Sequence, residues 1–226
     1  MKYLIFNLKS KLTYKDIINY QKQIKKVRNK IIIAPSNIYL SYFNKYKYTT
    51  CAQDVSLFET GSYTGEVLAH QIKSLKTDYV IIGHYERRKY FNESNEVIIN
   101  KLKSALKSNL KVIYCLSTVD NIDKQIASIY QNIDKKDISS VIIAYEPANL
   151  IGANEKIDSK VINNNIMLIR QYICKYTLNS VDIIYGGSIN KENVEEITKL
   201  KVEGLLIGEK STSFDDIFTL VKTFKH

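Results

Sequence analysis

Eight short, β-branched runs recur along the chain: Tyr3–Asn7, Ile31–Ala34, Tyr48–Gln53, Tyr79–Gly83, Val112–Leu116, Val141–Glu146, Ile183–Gly186 and Leu205–Gly208. They are mostly apolar and lack the strict alternation of a half-exposed strand, as parallel strands covered on both faces do. Between them lie longer polar stretches with helical spacing. Leu102, Leu106 and Leu110 stand four apart, and Ile162, Ile166, Ile169 and Ile173 mark one face of another segment. Helix starts are signalled at Thr13-x-x-Asp16 and Ser213-x-x-Asp216, with Asp where a reciprocal cap usually has Glu. Alternating strand and helix implies a parallel sheet with helical crossovers. No linker rich in Pro, Gly or Ser interrupts the series. The chain is therefore expected to form one α/β domain over residues 1–226, a (β/α)8 barrel of eight parallel strands with outer helices. An open, doubly wound sheet would usually need glycine in its first turn, and residues 7–12 contain none.

Glycine is scarce, at positions 61, 65, 83, 152, 186, 187, 204 and 208, and all but Gly204 fall at or after the carboxyl end of a predicted strand. Pro35 and Pro147 do the same. In a barrel those ends form the one face that carries active sites, so the special backbone is expected at one mouth. The same ends carry Asn7, Lys9, Gln53, His84, Glu86, Glu146, the Tyr185–Ser188 turn and Gly208. One carboxylate base, one imidazole and one fixed cation suffice to move a proton next to a carbonyl and to stabilise an enediolate. Backbone N–H groups at Gly152, Ser188 and Gly208 could cradle a phosphate. No second acid adjoins Glu146 as a glycosidase pair requires, and neither a Gly-x-Ser-x-Gly turn nor a metal-ligand cluster occurs. This chemistry points to aldose–ketose isomerisation of a small phosphorylated sugar.

The formal net charge of +10 invites a nucleic-acid reading. All but four of the 33 basic residues are lysines, however, scattered among Ile, Asn and Tyr, and no basic run interleaves with aromatic residues. Nucleic acid is not the expected partner. Cys51, Cys115 and Cys174 are odd in number and widely spaced, which suits a reducing compartment and small core residues rather than disulfides or zinc. No apolar run approaches the ~20 residues of a membrane span, and the Met1–Asn7 stretch is too short for a secretory signal. A cytoplasmic protein is expected.

Several motifs resemble, in order, those of the triosephosphate isomerases. Asn7-Leu8-Lys9 resembles the Asn-x-Lys after the first strand, and Gly61-Ser62-Tyr63-Thr64-Gly65-Glu66 the third loop. Tyr79 to Arg88, with Gly83-His84-Tyr85-Glu86 at its centre, is similar to the strand-four signature. Ala144-Tyr145-Glu146-Pro147 with Ile151-Gly152 resembles the lid, and Tyr185-Gly186-Gly187-Ser188 the phosphate turn. The resemblance implies interconversion of dihydroxyacetone phosphate and D-glyceraldehyde 3-phosphate, a step of glycolysis and gluconeogenesis, with neither cofactor nor metal. It makes Glu146 the base that shuttles a proton between adjacent carbons, and His84 a neutral group that polarises the substrate oxygens. Lys9 would face phosphate and enediolate with Asn7 as a nearby donor, and Glu86 would position Lys9 or relay protons. Gly152, Ser188, Gly208 and the N–H of Glu209 would bind phosphate. Asn92 and Glu93 would begin the next helix, Glu93 orienting Arg87 or nearby backbone. Thr64 would reach into a partner subunit and steady Lys9 or His84, making a homodimer through the 61–66 loop.

The sequence departs from the family pattern at four places. Tyr85 stands where serine is usual, Asn149 where the lid has tryptophan, and Ala153-Asn154 where it has Thr-Gly. Cys115-Leu116-Ser117-Thr118 lacks the glutamate of Cys-x-Gly-Glu, and Gly208-Glu209 replaces a Gly-Gly pair. A carboxylate aimed at the phosphate would repel it. The preferred reading uses only the backbone of Glu209 and turns its side chain toward Lys210. The alternatives are a weakened or repurposed barrel for another small phosphorylated carbonyl compound, or a catalytically silent basic binding protein. The Lys9–His84–Glu146 set argues against the last.

Overall fold

Each apolar run is a strand in the computed structural model, which describes residues 1–116, 121–147 and 157–224. The strands are β1 (Tyr3–Asn7), β2 (Ile32–Ala34), β3 (Thr49–Ala52), β4 (Tyr79–Ile82), β5 (Lys111–Leu116), β6 (Val141–Tyr145), β7 (Ile183–Tyr185) and β8 (Gly204–Ile207). Each pairs in parallel with the next, and β8 pairs with β1, so the sheet closes into a barrel. At the closing seam Tyr3 stands opposite Gly204 and Phe6 opposite Ile207.

The helices of the described residues are α1 (Tyr14–Ile24), α2 (Leu40–Lys45), α3 (Ala69–Ser74), α4 (Tyr85–Tyr90), α5 (Asn95–Lys107), α6 (Ile122–Tyr130), α7 (Ser159–Ile173), α8 (Val194–Thr198) and α9 (Phe214–Phe224). Both expected caps form. Thr13 and Asp16 exchange side-chain-to-backbone bonds at the start of α1. The Ser213 hydroxyl donates to Asp216 at 2.5 Å and accepts its N–H at 3.4 Å. Leu102, Leu106 and Leu110, and the four isoleucines of α7, are buried.

Strand side chains divide by twos. Ile5, Cys51, Ile81, Ala144, Ile184 and Leu206 pack together inside the barrel. Their neighbours Leu4, Phe6, Val80, Ile82, Ile143 and Leu205 belong to the larger core under the helices. Burying each such side chain contributes about 1.5–3 kcal/mol. Continuing the inward set by two residues puts Asn7, Gln53, Gly83, Glu146, Gly186 and Gly208 at the carboxyl end of the barrel. The residues of the mouth are thus the last inward positions of six strands.

Two expectations are corrected. The helix after β4 and α4 starts at Asn95, capped by the Ser94 hydroxyl, not at Asn92 and Glu93. Asn92 is left-handed at φ 53°, and the Glu93 carboxylate is held by Arg87 and Lys101. Cys51 and Cys115 are buried, but Cys174 is exposed. It follows Ile173 by one residue, about 100° around the helix axis from the isoleucine face.

Candidate active site

Lys9 enters the mouth on an unfavourable backbone, with φ at 52°. Its N–H donates to Asn7 Oδ1 at 3.0 Å. Gln53 Nε2 donates to the Lys9 carbonyl at 2.9 Å and to the Ala34 carbonyl at 2.8 Å. Both polar ends of the strained residue are therefore tied to side chains of the mouth, Asn7 at the end of β1 and Gln53 just after β3. The Lys9 ammonium then meets Glu86 Oε1 at 2.5 Å.

The chain leaves β4 through Gly83, whose φ of 73° few other residues adopt readily. His84 follows as the cap of α4, its Nδ1 accepting the Glu86 N–H at 3.2 Å. A ring nitrogen that accepts carries no proton, so the imidazole is the neutral tautomer with its proton on Nε2. Glu86 Oε2 lies 3.6 Å from Nδ1, too far for a hydrogen bond. On the other side, Nε2 faces Glu146 Oε1 at 3.4 Å.

Glu146 is 1% exposed. Its N–H is fixed to the Leu116 carbonyl at 2.9 Å, and its Oε2 has no hydrogen-bond partner among the described residues. A buried carboxylate oxygen left unpartnered is costly, and it marks a group kept for something other than stability. A Cβ at residue 186 would come within 2.8 Å of Glu146 Cγ, so the glycine makes room for the carboxylate. Burial pushes the Cys115 thiol well above its ordinary range, and the Glu146 charge beside it adds to the effect. That neighbour of Glu146 is one that reading the cysteines only as core residues missed.

A cavity of about 390 Å³ opens over these groups, lined by Asn7, Lys9, His84, Glu86, Glu146, Ser188, Gly208 and Glu209. The structure thus brings together every site residue expected from the sequence except two. Gly152 lies outside the described residues, as do Asn149, Ala153, Asn154, Ser117 and Thr118. Thr64 sits on the 61–66 loop, which is exposed along its length, and does not line the cavity. Tyr85 forms part of the cavity wall, with the Lys89 ammonium 5.4 Å from its ring centre. Glu209 is exposed and makes no ion pair with Lys210 among the described residues; Lys11 instead donates to its backbone oxygen at 3.4 Å. Lys11, Lys89 and Lys210 also line the cavity, although none belongs to a motif that marked them in the sequence.

A closed parallel barrel with a carboxylate, an imidazole and an ammonium at the carboxyl ends of its strands places the chain in the class of (β/α)8-barrel enzymes, whose active sites occupy that face. Comparison with known proteins narrows that class. Residues 2–224 match the family model described as triosephosphate isomerase. The chain is 32% identical to a triosephosphate isomerase of Mycoplasma pneumoniae, over 99% of this chain and 98% of that protein. It is 31% identical to that of Mycoplasma genitalium over the same shares, and 34% identical to that of Wigglesworthia glossinidia brevipalpis over 93% and 90%. The chain belongs to the triosephosphate isomerase family.

Proposed function

We propose that this barrel interconverts dihydroxyacetone phosphate and D-glyceraldehyde 3-phosphate, with Glu146 as base and His84 and Lys9 as the groups that stabilise the enediolate. The observation that carries the reading is the pairing of Glu146 Oε1 with the proton-bearing Nε2 of His84 across 3.4 Å. One carbon–hydrogen bond and the adjacent carbonyl oxygen can be served together from that pair. Glu146 takes the proton from the carbon next to the carbonyl, and the bond's electrons move to the carbonyl oxygen. The Nε2–H of His84 and the ammonium of Lys9 face the negative charge that develops there. A proton passes from the neighbouring hydroxyl to that oxygen by way of His84 Nε2, the proton on Glu146 returns to the carbon that bore the carbonyl, and the carbonyl re-forms one position along. Glu86 holds Lys9 in place, and the backbone at Ser188, Gly208 and Glu209, with Gly152 from the lid, binds the phosphate.

Proton transfer through Glu146 exposes the mobile proton to exchange with solvent. Turnover of dihydroxyacetone phosphate in deuterium oxide, followed by proton NMR, is expected to place deuterium at C2 of the aldehyde product. Product formed without any deuterium would indicate a direct hydride shift and contradict the reading.

The site is completed in a homodimer. The Gly61–Glu66 loop is exposed along its length, its Tyr63 stacked on Phe58 with ring centres 3.8 Å apart, and offers Thr64 to a second copy. A cleft of about 310 Å³ beside Lys9, Gln53, His84 and Phe91 could receive Thr64 of a second copy. Ile38, Tyr90 and Phe91 are exposed apolar side chains suited to the rim of such an interface. Sedimentation at micromolar concentration tests this, and a species of one-chain mass would contradict it. No helix among the described residues is long and apolar enough to cross a membrane. Two buried, reduced cysteines and the glycolytic step support a cytoplasmic location.

A further inference from the structure

The charge balance of the mouth points to a lysine outside the motifs. Three carboxylates, Glu86, Glu146 and Glu209, line the cavity, so a phosphate dianion arriving beside Glu209 meets like charge. Lys9 is already committed to Glu86 at 2.5 Å. Its Cε also packs over Gly208, where a Cβ would stand 3.3 Å away. Its ammonium, 3.7 Å from that same point, lies at the turn but is partly neutralised by Glu86. Two residues on, past the left-handed backbone of Lys9, Lys11 crosses the β1–β8 seam to the backbone oxygen of Glu209 at 3.4 Å. Lys11 makes no ion pair among the described residues. An unpaired ammonium thus stands at the cavity edge where the extra carboxylate was introduced.

We propose that Lys11 is a second phosphate-binding cation of this site beside Lys9, offsetting Glu209 and holding the substrate's phosphate at the Gly208–Glu209 turn. The identity of the substrate rests on the isomerase reading; the anion site itself does not. A charge-assisted bond from an ammonium to phosphate oxygen is stronger than a neutral one, and an exposed cation gives it a marked dependence on salt. Lys210 lines the same cavity and is the rival donor. It directly follows Glu209 on the short turn Glu209–Thr212, whereas Lys11 comes from the loop after β1 and reaches that turn from the adjoining strand.

Isothermal titration of inorganic phosphate into the intact protein reads this site without turnover. The panel is wild type, Lys11→Met, Glu209→Gln, the double variant and Lys210→Met. Lys11→Met is expected to weaken phosphate binding about tenfold, equivalent to about 1.4 kcal/mol. Glu209→Gln should tighten it, and the double variant should return to within about threefold of wild type, as two opposite charges acting additively on the phosphate do. In steady state, Lys11→Met should raise KM for D-glyceraldehyde 3-phosphate about tenfold while leaving kcat within about threefold. Unchanged phosphate affinity in Lys11→Met, or a loss confined to Lys210→Met, overturns the assignment. Lys11-dependent phosphate binding by a protein that does not turn over the triose would support the anion site and count against the isomerase reading alone.

Discussion

Lys9 occupies the left-handed region without being glycine, and its neighbours compensate for the strain. Asn7 takes its N–H and Gln53 its carbonyl, so the ammonium leaves the backbone in one fixed direction. Replacing Gln53 with Ala removes the second tie and leaves the Ala34 carbonyl without that donor. The expected result is a fall in kcat/KM of about 10- to 100-fold, because small misplacements of a charge at a reacting centre are expensive. Kinetics beside a circular-dichroism melt would check this, and unchanged kinetics would detach the tie from function. Much of this was visible in the sequence only as polar residues at strand ends. Lys9 and His84 stand out within their motifs, but the bond from Gln53 to Lys9 spans 44 residues and leaves no local pattern. Lys11 was hidden for the same reason, as one lysine among many.

Beneath the mouth, four charged side chains join β3, α4 and α5. Lys101 on α5 lies 2.5 Å from Glu93 and 2.6 Å from Asp54, while Arg87 on α4 lies 2.6 Å and 3.0 Å from the same two. The side chains of Lys101 and Glu93 are only 6% exposed. Lys101→Met leaves two carboxylates to share Arg87 alone and is expected to cost about 3 kcal/mol in urea unfolding. Asp54→Asn should cost far less. Burial raises the Asp54 pKa despite the opposing pull of Lys101 and Arg87. A carboxyl whose folded pKa lies above its unfolded one loses stability on ionising, so a neutral amide forfeits little at pH 7. Equal losses from the two variants would contradict this division. Strand positions were legible because β-branched runs are dense and continuous. The start of α5 was not, because Glu93 is claimed by tertiary ion pairs rather than by the helix it precedes.

Closure makes the eight units one body, and its seam carries the clearest pH signature. Lys2 and Tyr3, at the start of β1, hold Asp182 just before β7 at 2.5 and 2.7 Å. Burial alone would raise the Asp182 pKa, but the bonds from Lys2 and Tyr3 outweigh it and lower it. Stability from a depressed carboxyl is fully present above its unfolded value, about 3.9, and is lost as pH falls through the folded one. Melting temperature should therefore drop below about pH 4, and Asp182→Asn should flatten that acid limb. Parallel limbs in the two proteins would contradict the assignment. The barrel itself was legible from alternation and glycine placement. Gly204 was not, because its reason lies across the seam, where a Cβ would come within 2.5 Å of Tyr3. The central claim is that Glu146, set against the neutral face of His84, is the base. Steady-state isomerisation of D-glyceraldehyde 3-phosphate by the wild type and by Glu146→Gln tests it most directly. The account predicts a loss of kcat of about a thousandfold or more in the variant, with the fold intact. A variant as fast as the wild type would contradict it.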